Sequence, residues 1–277
     1  MLRSILVALD ATPASSAAQE LAIDFARKFE CEITGLAILD REHITSPAAV
    51  GIGGTAYKHH RDQVKLEEAQ AFLSRLEAGF QKSCEAIGAA WRVIEAEGVP
   101  YELIEWESGR HDLLVIGKDT DFHFDFDPST TDTVLRLLRD NPRPLVVCPE
   151  HAPKDGVILV TYDGSLRSSR ALHMLILLGH AEGRPVHVIS VDSEKDDAER
   201  RANYATEIFA KHGFEVTAHG IGSDAQPAEI ILTEAEALGA TAIAMGASGH
   251  SALHDFFLGS TTTRILDACP CPLFVHR

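Results

Sequence analysis

The chain repeats its own plan, and this internal repeat constrains the fold more than any single motif does. The segment "RSILVALDATPASSAAQELAIDFA" (3–26) matches "GVILVTYDGSLRSSRALHMLILLG" (156–179). Each has a β-branched apolar run, an aspartate (Asp10 or Asp163), a turn of small residues and a helical spacing of apolar residues. Two copies of one domain are therefore expected to follow each other.

The later segments of the two halves match as well. Gly117 follows an apolar run in the first half as Gly246 does in the second, and "RPLVVCPE" (143–150) matches "CPLFVHR" (271–277). In each half, strands and helices alternate from a first to a fifth strand. Alternating apolar runs and amphipathic helices predict an open parallel α/β sheet with helices on both faces.

The two domains are expected at 1–150 and 156–277, joined by the Pro- and Gly-bearing linker "PEHAPKDG" (149–156). The spacing from the matching aspartate to the matching glycine is 107 residues in the first half and 83 in the second, a difference of 24. We place the extra length at 41–62, which is rich in Gly, Ser and Thr, and predict a partly disordered surface excursion there.

The elements of the second half indicate where a ligand would bind. Strands are predicted at about 157–162, 185–191, 214–220, 241–245 and 272–276, and helices at about 166–180, 195–212, 226–238 and 260–268. In open parallel sheets, ligands bind beyond the carboxyl ends of the strands, where the strand order reverses. Asp163 ends the first of these strands and Gly246 ends the fourth, so the site is expected beside them.

A glycine-rich loop follows that fourth strand. Gly246 lets the chain leave the strand without a Cβ in the way, and Gly249 allows close backbone approach to a ligand. Gly259, Ser260 and Thr261 then open the last helix, whose free N–H groups and partial positive charge attract anions. The pattern predicts a phosphate-binding loop. The open alternative is that the glycines only form turns and that Ser260 caps the helix.

Two polar side chains accompany this loop. Asp163 can accept hydrogen bonds from a ribose or an adenine amino group, or it can cap the helix that starts near Ser165. His250 lies next to the second glycine of the loop and is a candidate phosphate contact. The loop holds no arginine or lysine to neutralise a leaving phosphate, so we expect no catalytic residue and slow or absent turnover.

Together these residues resemble the universal stress protein family, over essentially the whole chain and as two tandem copies. The resemblance rests on Gly-x2-Gly-x9-Gly-Ser after "AIAMG", on "VTYDGS" upstream and on "CPLFV" as the last strand. It implies a five-stranded sheet per domain, similar to that of the adenine nucleotide alpha-hydrolases. It implies that Asp163 and the backbone near Val191 hold adenine and ribose, while the glycine loop holds the phosphates of ATP with Mg²⁺. It also implies that the last strands of the two domains pair, as an intrachain pseudo-dimer.

The first half departs from this pattern after Gly117. Pro128 stands where the second half has Gly259, which removes an N–H donor, and the loop is shorter. Four carboxylates lie in that loop, each opposing a triphosphate by on the order of 1 kcal/mol at intermediate dielectric: Asp119, Asp121, Asp125 and Asp127. We predict that this half binds no ATP and that each chain has one site.

The same loop, 119–127, alternates Phe122, Phe124 and Phe126 with polar residues. Three interpretations stay open. The phenylalanines pack onto the domain, or they form a protein-contact surface or the lip of an apolar ligand site, or His123 and the aspartates hold a metal.

Composition limits the partners. The net charge of −16 at pH 7 opposes binding to nucleic acids and anionic lipids. No apolar run approaches about 20 residues, so no membrane span is expected. Five cysteines at irregular spacing, including Cys269-Pro-Cys271, argue against a disulfide framework and favour a cytoplasmic protein with buried thiols and no metal site.

The predicted function is that of an ATP-binding stress-response sensor or switch with one competent site. An unknown protein partner and a further homodimer are left open. Two alternatives remain: an interaction or small-ligand-binding stress protein that keeps the loop only as structure, and a slow ATPase or phosphotransferase. Valine at Gly246 or Gly259 is expected to abolish nucleotide binding and to leave the protein folded.

Overall fold

A computed structural model of the chain describes residues 1–45, 55–120, 122, 132–247 and 259–277. The first half forms β1 (Ser4–Leu9), α1 (Pro13–Phe29), β2 (Glu32–Leu39), α2 (Arg41–Ile44), α3 (Thr55–Ile87), β3 (Trp91–Glu97), α4 (Pro100–Ser108), β4 (Leu113–Gly117), α5 (Asp132–Asp140) and β5 (Leu145–Cys148). The second half forms β6 (Val157–Thr161), α6 (Leu166–Leu178), β7 (Val186–Asp192), α7 (Lys195–Lys211), β8 (Val216–Gly222), α8 (Pro227–Ala237), β9 (Ala240–Gly246), α9 (Ser260–Ala268) and β10 (Leu273–His276).

These strands form one continuous ten-stranded sheet in the order β3-β2-β1-β4-β5-β10-β9-β6-β7-β8. Neighbouring strands are parallel except at the centre, where β5 and β10 pair antiparallel with Phe274 opposite Val146. Each half therefore supplies five parallel strands, and the last strands join the halves. The predicted fold class and the predicted pairing of the last strands are confirmed.

Helices cover both faces of the sheet. Residues of α1, α3, α6 and α7 belong to the hydrophobic core on one face, and residues of α4, α5, α8 and α9 belong to the core on the other. Each core runs across both halves. Strand β4 is buried at all five positions, as expected for a parallel strand covered on both faces.

The repeat extends to the caps of the helices. The Thr12 side chain accepts the Ser15 N–H at the start of α1, and Ser165 accepts the Ser168 N–H at the start of α6. Helix α6 ends at Leu178, two residues before the predicted end, because Gly179 takes a left-handed conformation with φ 73°.

The structure corrects the prediction for 41–62. Residues 41–44 and 55–62 are helical, and 46–54 lie outside the described residues. Helix α3 has 33 residues, whereas its counterpart α7 has 17, so much of the extra length of the first half lies in a longer helix. Within α3, Asp62 is buried and forms ion pairs with Lys58 and Arg61; the Lys58 hydrogen bond is the main cause that lowers its pKa.

In the part of the chain that the structure describes, no helix combines the length and the apolar composition needed to cross a membrane. All five cysteines are buried and free, as the sequence predicts. The Sγ atoms of Cys269 and Cys271 lie 3.5 Å apart at the start of β10.

Candidate functional site

A cavity of about 160 Å³ lies at the carboxyl ends of β6, β7 and β9, where the strand order of the second half reverses. Six of the eight residues that the sequence analysis places in the site line this cavity: Asp163, Val191, Gly246, Gly259, Ser260 and Thr261. The other two, Gly249 and His250, lie outside the described residues.

One wall of the cavity is apolar, and the sequence analysis did not identify its residues. Ile189 lies two positions before Val191 on β7 and therefore points to the same face of the sheet. Met245 is the last residue but one of β9, and Pro227 and Ile231 belong to α8. Period-two alternation along β7 is the signal that would have found Ile189. A wall of this kind can hold an aromatic ring by apolar contact.

The opposite side of the cavity is the N-terminus of α9. Gly259 is the N-cap residue and has no side chain to accept the N–H groups of the first turn. Ser260 is exposed and Thr261 is half-buried, and both line the cavity. The Oγ1 atom of Thr262 is buried and has no hydrogen-bond partner among the described residues. Backbone donors and hydroxyls at a helix N-terminus can bind an anion without a basic side chain.

Asp163 lies at the turn between β6 and α6 and is half-buried. Its Oδ1 accepts the Ser165 N–H at 2.9 Å. The cap of α6 is Ser165, whose Oγ accepts the Ser168 N–H at 3.1 Å, so the alternative that Asp163 caps this helix is wrong. The Asp163 carboxylate instead forms part of the cavity wall.

The matching aspartate of the first half is placed differently. Asp10 is only 7% exposed. Its side chain accepts the Ala11 N–H, and its own N–H donates to the Ser15 Oγ at 3.0 Å. The two halves therefore keep the residue type, but only the aspartate of the second half lies in the wall of the cavity described above.

Of the acidic and aromatic loop in the first half, the structure describes only its first part and Phe122. Phe122 is buried, 4% exposed, with a left-handed φ of 62°, which agrees with packing onto the domain for this one residue. The predictions for Phe124, Phe126, His123 and Pro128 concern residues outside the described part of the chain.

The structure explains the glycine at position 246 by a contact that was not predicted from the sequence. A Cβ there would lie 2.5 Å from the Ser168 nitrogen and 2.5 Å from the Arg167 carbonyl carbon. The matching Gly117 would place a Cβ 2.5 Å from the Ser15 nitrogen. In each half, glycine at this position lets the helix that follows the first strand pack against the end of the fourth strand. The expectation that Gly246→Val leaves the protein folded is corrected.

Arginines of α7 and α9 form two ion pairs in the second half. Arg264 of α9 donates from Nε to Glu229 of α8 at 2.8 Å. Arg201 of α7 pairs with Asp192, directly after Val191; the Glu194 N–H and then Arg201 hold the Asp192 pKa below its usual range. Both guanidinium groups therefore form ion pairs with carboxylates of neighbouring segments.

Two tyrosines form an aromatic pair beside the end of β6. The rings of Tyr162 and Tyr204 stack with their centroids 6.1 Å apart, and Tyr162 lines the cavity beside Asp163. Burial, and then Tyr204 and Asp163, raise the pKa of Tyr162. Its hydroxyl is therefore a neutral hydrogen-bonding group at neutral pH.

The fold and the site define an α/β protein built from two copies of one domain, with a cavity at the switch point of the second copy. A sequence model described as "Universal stress protein family" matches residues 1–138 and 156–277. The chain belongs to the universal stress protein family, in the tandem arrangement that the sequence analysis recognised.

Similar proteins agree with this assignment. Universal stress protein Slr1230 from Synechocystis sp. is 24% identical over 248 residues, covering 85% of this chain and 84% of that protein. The crystal structure of a universal stress protein from Archaeoglobus fulgidus DSM 4304 has a TM-score of 0.69 at 23% identity, covering 99% of this chain and 98% of that one. A universal stress protein from Archaeoglobus fulgidus in complex with dAMP aligns with 44% of this chain and 98% of its own, at 21% identity and a TM-score of 0.37, too low to bear on the site.

Proposed function

We propose that this protein binds one ATP per chain, with Mg²⁺, in the cavity of the second half and acts as a stress-response sensor or switch. The observation that carries the proposal is the convergence of Asp163, Val191 and the N-terminus of α9 on one cavity at the switch point. The domain at 156–277 would hold the nucleotide. The domain at 1–150 would complete the sheet and offer a surface to a protein partner in the cytoplasm.

The chemistry of the cavity suits the three parts of a nucleotide. The apolar wall at Ile189 and Ile231 suits an adenine ring, and the Asp163 carboxylate can accept hydrogen bonds from ribose hydroxyls or an adenine amino group. The N-terminus of α9, with the hydroxyls of Ser260 and Thr261, suits phosphate oxygens. This local dipole acts at close range, so a net charge of −16 does not prevent binding.

Mg²⁺ fits this donor set because it prefers oxygen ligands and keeps several waters. The hydroxyls of Ser260 and Thr261 are the oxygen donors beside the proposed phosphate position. When bound, the ion would neutralise phosphate charge. The engagement of Arg264 and Arg201 with carboxylates favours a binding switch over a fast catalyst.

The two matching aspartates provide a controlled test. Asp163→Asn should weaken Mg-ATP binding by about ten-fold or more, because hydrogen bonds to a charged group contribute about 1.5–3 kcal/mol. Asp10→Asn should leave the affinity unchanged. Titration calorimetry measures both, with circular dichroism to verify folding.

Loss of binding in Asp10→Asn with normal binding in Asp163→Asn would place the site in the wrong half. Unchanged affinity in both folded variants would remove the aspartate from the site. Steady phosphate release by the wild-type protein would favour the slow-ATPase alternative over the switch.

A further inference from the structure

A second cleft, of about 400 Å³, lies between the two halves at the other end of the sheet. It is bounded by α1 of the first half, by the linker residues 150–154, and by the turn after α6 together with the start of β9 and Pro272 in the second half. Thr241, at the amino end of β9, lines this cleft, whereas Gly246, at the carboxyl end of the same strand, lines the candidate nucleotide site. We call it the seam cleft; it is separate from that site.

A buried histidine lines the seam cleft. His180 is 4% exposed and packs edge-on against Phe25 of α1, with the ring centroids 4.7 Å apart, and against Phe274 of β10 at 5.5 Å. Its ring nitrogens have no hydrogen-bond partner among the residues that the structure describes. A ligand in the cleft that offers an acceptor can therefore form a hydrogen bond with the imidazole N–H.

A half-buried arginine lies beside it. Arg184 donates to the His180 carbonyl at 2.8 Å and to the Thr241 Oγ1 at 3.3 Å. The described residues offer it no carboxylate partner, and these two bonds use two of its five N–H donors. Burial lowers the Arg184 pKa, and Lys28 nearby has its own pKa lowered by burial and then by Arg184. The Arg184 guanidinium, which has further N–H donors, and the His180 ring both line the cleft and thus favour an anionic group there.

The rest of the cleft has a different character. Leu21, Phe25, Ala242 and Pro272 give it apolar walls. Three carboxylates also line it, Glu20, Asp24 and Glu150, together with the exposed basic side chains of His151 and Lys154. Glu20 and Glu150 are exposed, while Asp24 pairs with Arg27 at 2.9 Å. A ligand that fits carries a negative group inside, an apolar body, and a positive group toward the rim.

We propose that the seam cleft binds a small zwitterion of the α-amino-acid class with an apolar side chain. Its carboxylate would bind Arg184 and His180, and its ammonium would lie toward Glu20 and Glu150. A volume of about 400 Å³ accommodates one such molecule. Because the walls come from both halves, the bound ligand would bridge the two domains.

The first experiment uses ligands that differ by one charge. Titration calorimetry on the full chain compares L-leucine, L-methionine and L-phenylalanine with 4-methylpentanoate and isoamylamine, which are leucine without its ammonium or its carboxylate. We expect at least one amino acid to bind with one site per chain. The acid and the amine should bind at least about ten-fold more weakly, since each lacks one charged contact.

Variants locate the binding. Arg184→Gln should weaken amino-acid binding by about ten-fold or more, and Glu20→Gln, at an exposed rim position, should weaken it several-fold without affecting the fold. Arg200→Gln is the matched control, since that arginine is 71% exposed and pairs with Asp197 on α7. Affinity for Mg-ATP should be unchanged in all three variants.

Three outcomes would overturn the proposal: no amino acid of the panel binds, 4-methylpentanoate binds as tightly as leucine, or leucine binds Arg184→Gln and Glu20→Gln as tightly as the wild-type protein. The second outcome would indicate a simple anion site. If Arg184→Gln fails to fold, Glu20→Gln with the two single-charge ligands decides the question, because it tests the ammonium contact alone.

Discussion

At the scale of single residues, matching positions of the two halves differ in role at one pair and agree at another. Asp10 and Asp163 occupy matching positions, yet the first is buried in a turn and the second lines a cavity. Gly117 and Gly246 do the same work, since each allows a helix N-terminus to contact a strand end. The sequence predicts that these positions correspond. It does not reveal the contacts that separate a packing role from a binding role.

Gly246 gives a test of this distinction. Gly246→Ala should lower the free energy of unfolding by about 2 kcal/mol or more, because its Cβ would lie 2.5 Å from backbone atoms that cannot move freely. Gly79 is the control, since it lies within α3 and a Cβ there meets nothing within 4 Å. Gly79→Ala should raise stability by up to about 1 kcal/mol.

Urea denaturation of the wild-type protein and both variants measures these free energies. If Gly246→Ala were as stable as the wild-type protein, the N-terminus of α6 would lie farther from the end of β9 than in the structure. In that case the glycine would return to the role of a ligand contact.

At the scale of helices and strands, the sequence predicts most of the second half. Its strands and helices begin and end within about two residues of expectation, because hydrophobic periodicity and caps are local signals. A helix between the second and third strands of the first half was predicted, but its early start at Thr55 was not, because the Gly-, Ser- and Thr-rich composition of 41–62 indicates a loop. Helix α3 packs through its later residues, such as Phe80. Phe122 is another case, because a buried phenylalanine with a left-handed φ has no local signal in the sequence.

The turn after α6 joins elements of both halves and gives a pH-dependent prediction. Burial, and then Arg184 and Lys28, lower the His180 pKa from 6.5 to about 3. Below about pH 6.5, His180 is therefore protonated in the unfolded chain but stays neutral in the folded protein. The free energy of unfolding consequently decreases as the pH falls below 6.5.

In the variant His180→Phe, an apolar ring replaces the titratable imidazole that lies between Phe25 and Phe274. Between pH 7 and 5.5, the free energy of unfolding of the wild-type protein should fall by about 1 kcal/mol more than that of the variant. Denaturant titrations at both pH values, without added ligand, measure the difference. Equal pH dependence in the two proteins would mean that His180 accepts a proton in the folded state.

At the scale of the whole molecule, one sheet and two continuous cores unite the halves, while the candidate nucleotide cavity is lined by residues of the second half. The sequence could predict the sheet, the pairing of β5 with β10 and six residues that meet at one cavity. It offers no signal for Ile231, whose place in the apolar wall depends on how α8 packs beside β7, whereas alternation along β7 could have indicated Ile189. The seam cleft could not be predicted from the sequence either, because its walls come from segments far apart in the chain.

The central claim is a single nucleotide site per chain. The most direct measurement is to denature freshly purified protein, identify what is released by mass spectrometry, and count moles per chain. We predict about one adenine nucleotide per chain. Two per chain would contradict the assignment of the first half, and none, together with no heat on titration with Mg-ATP, would contradict nucleotide binding itself.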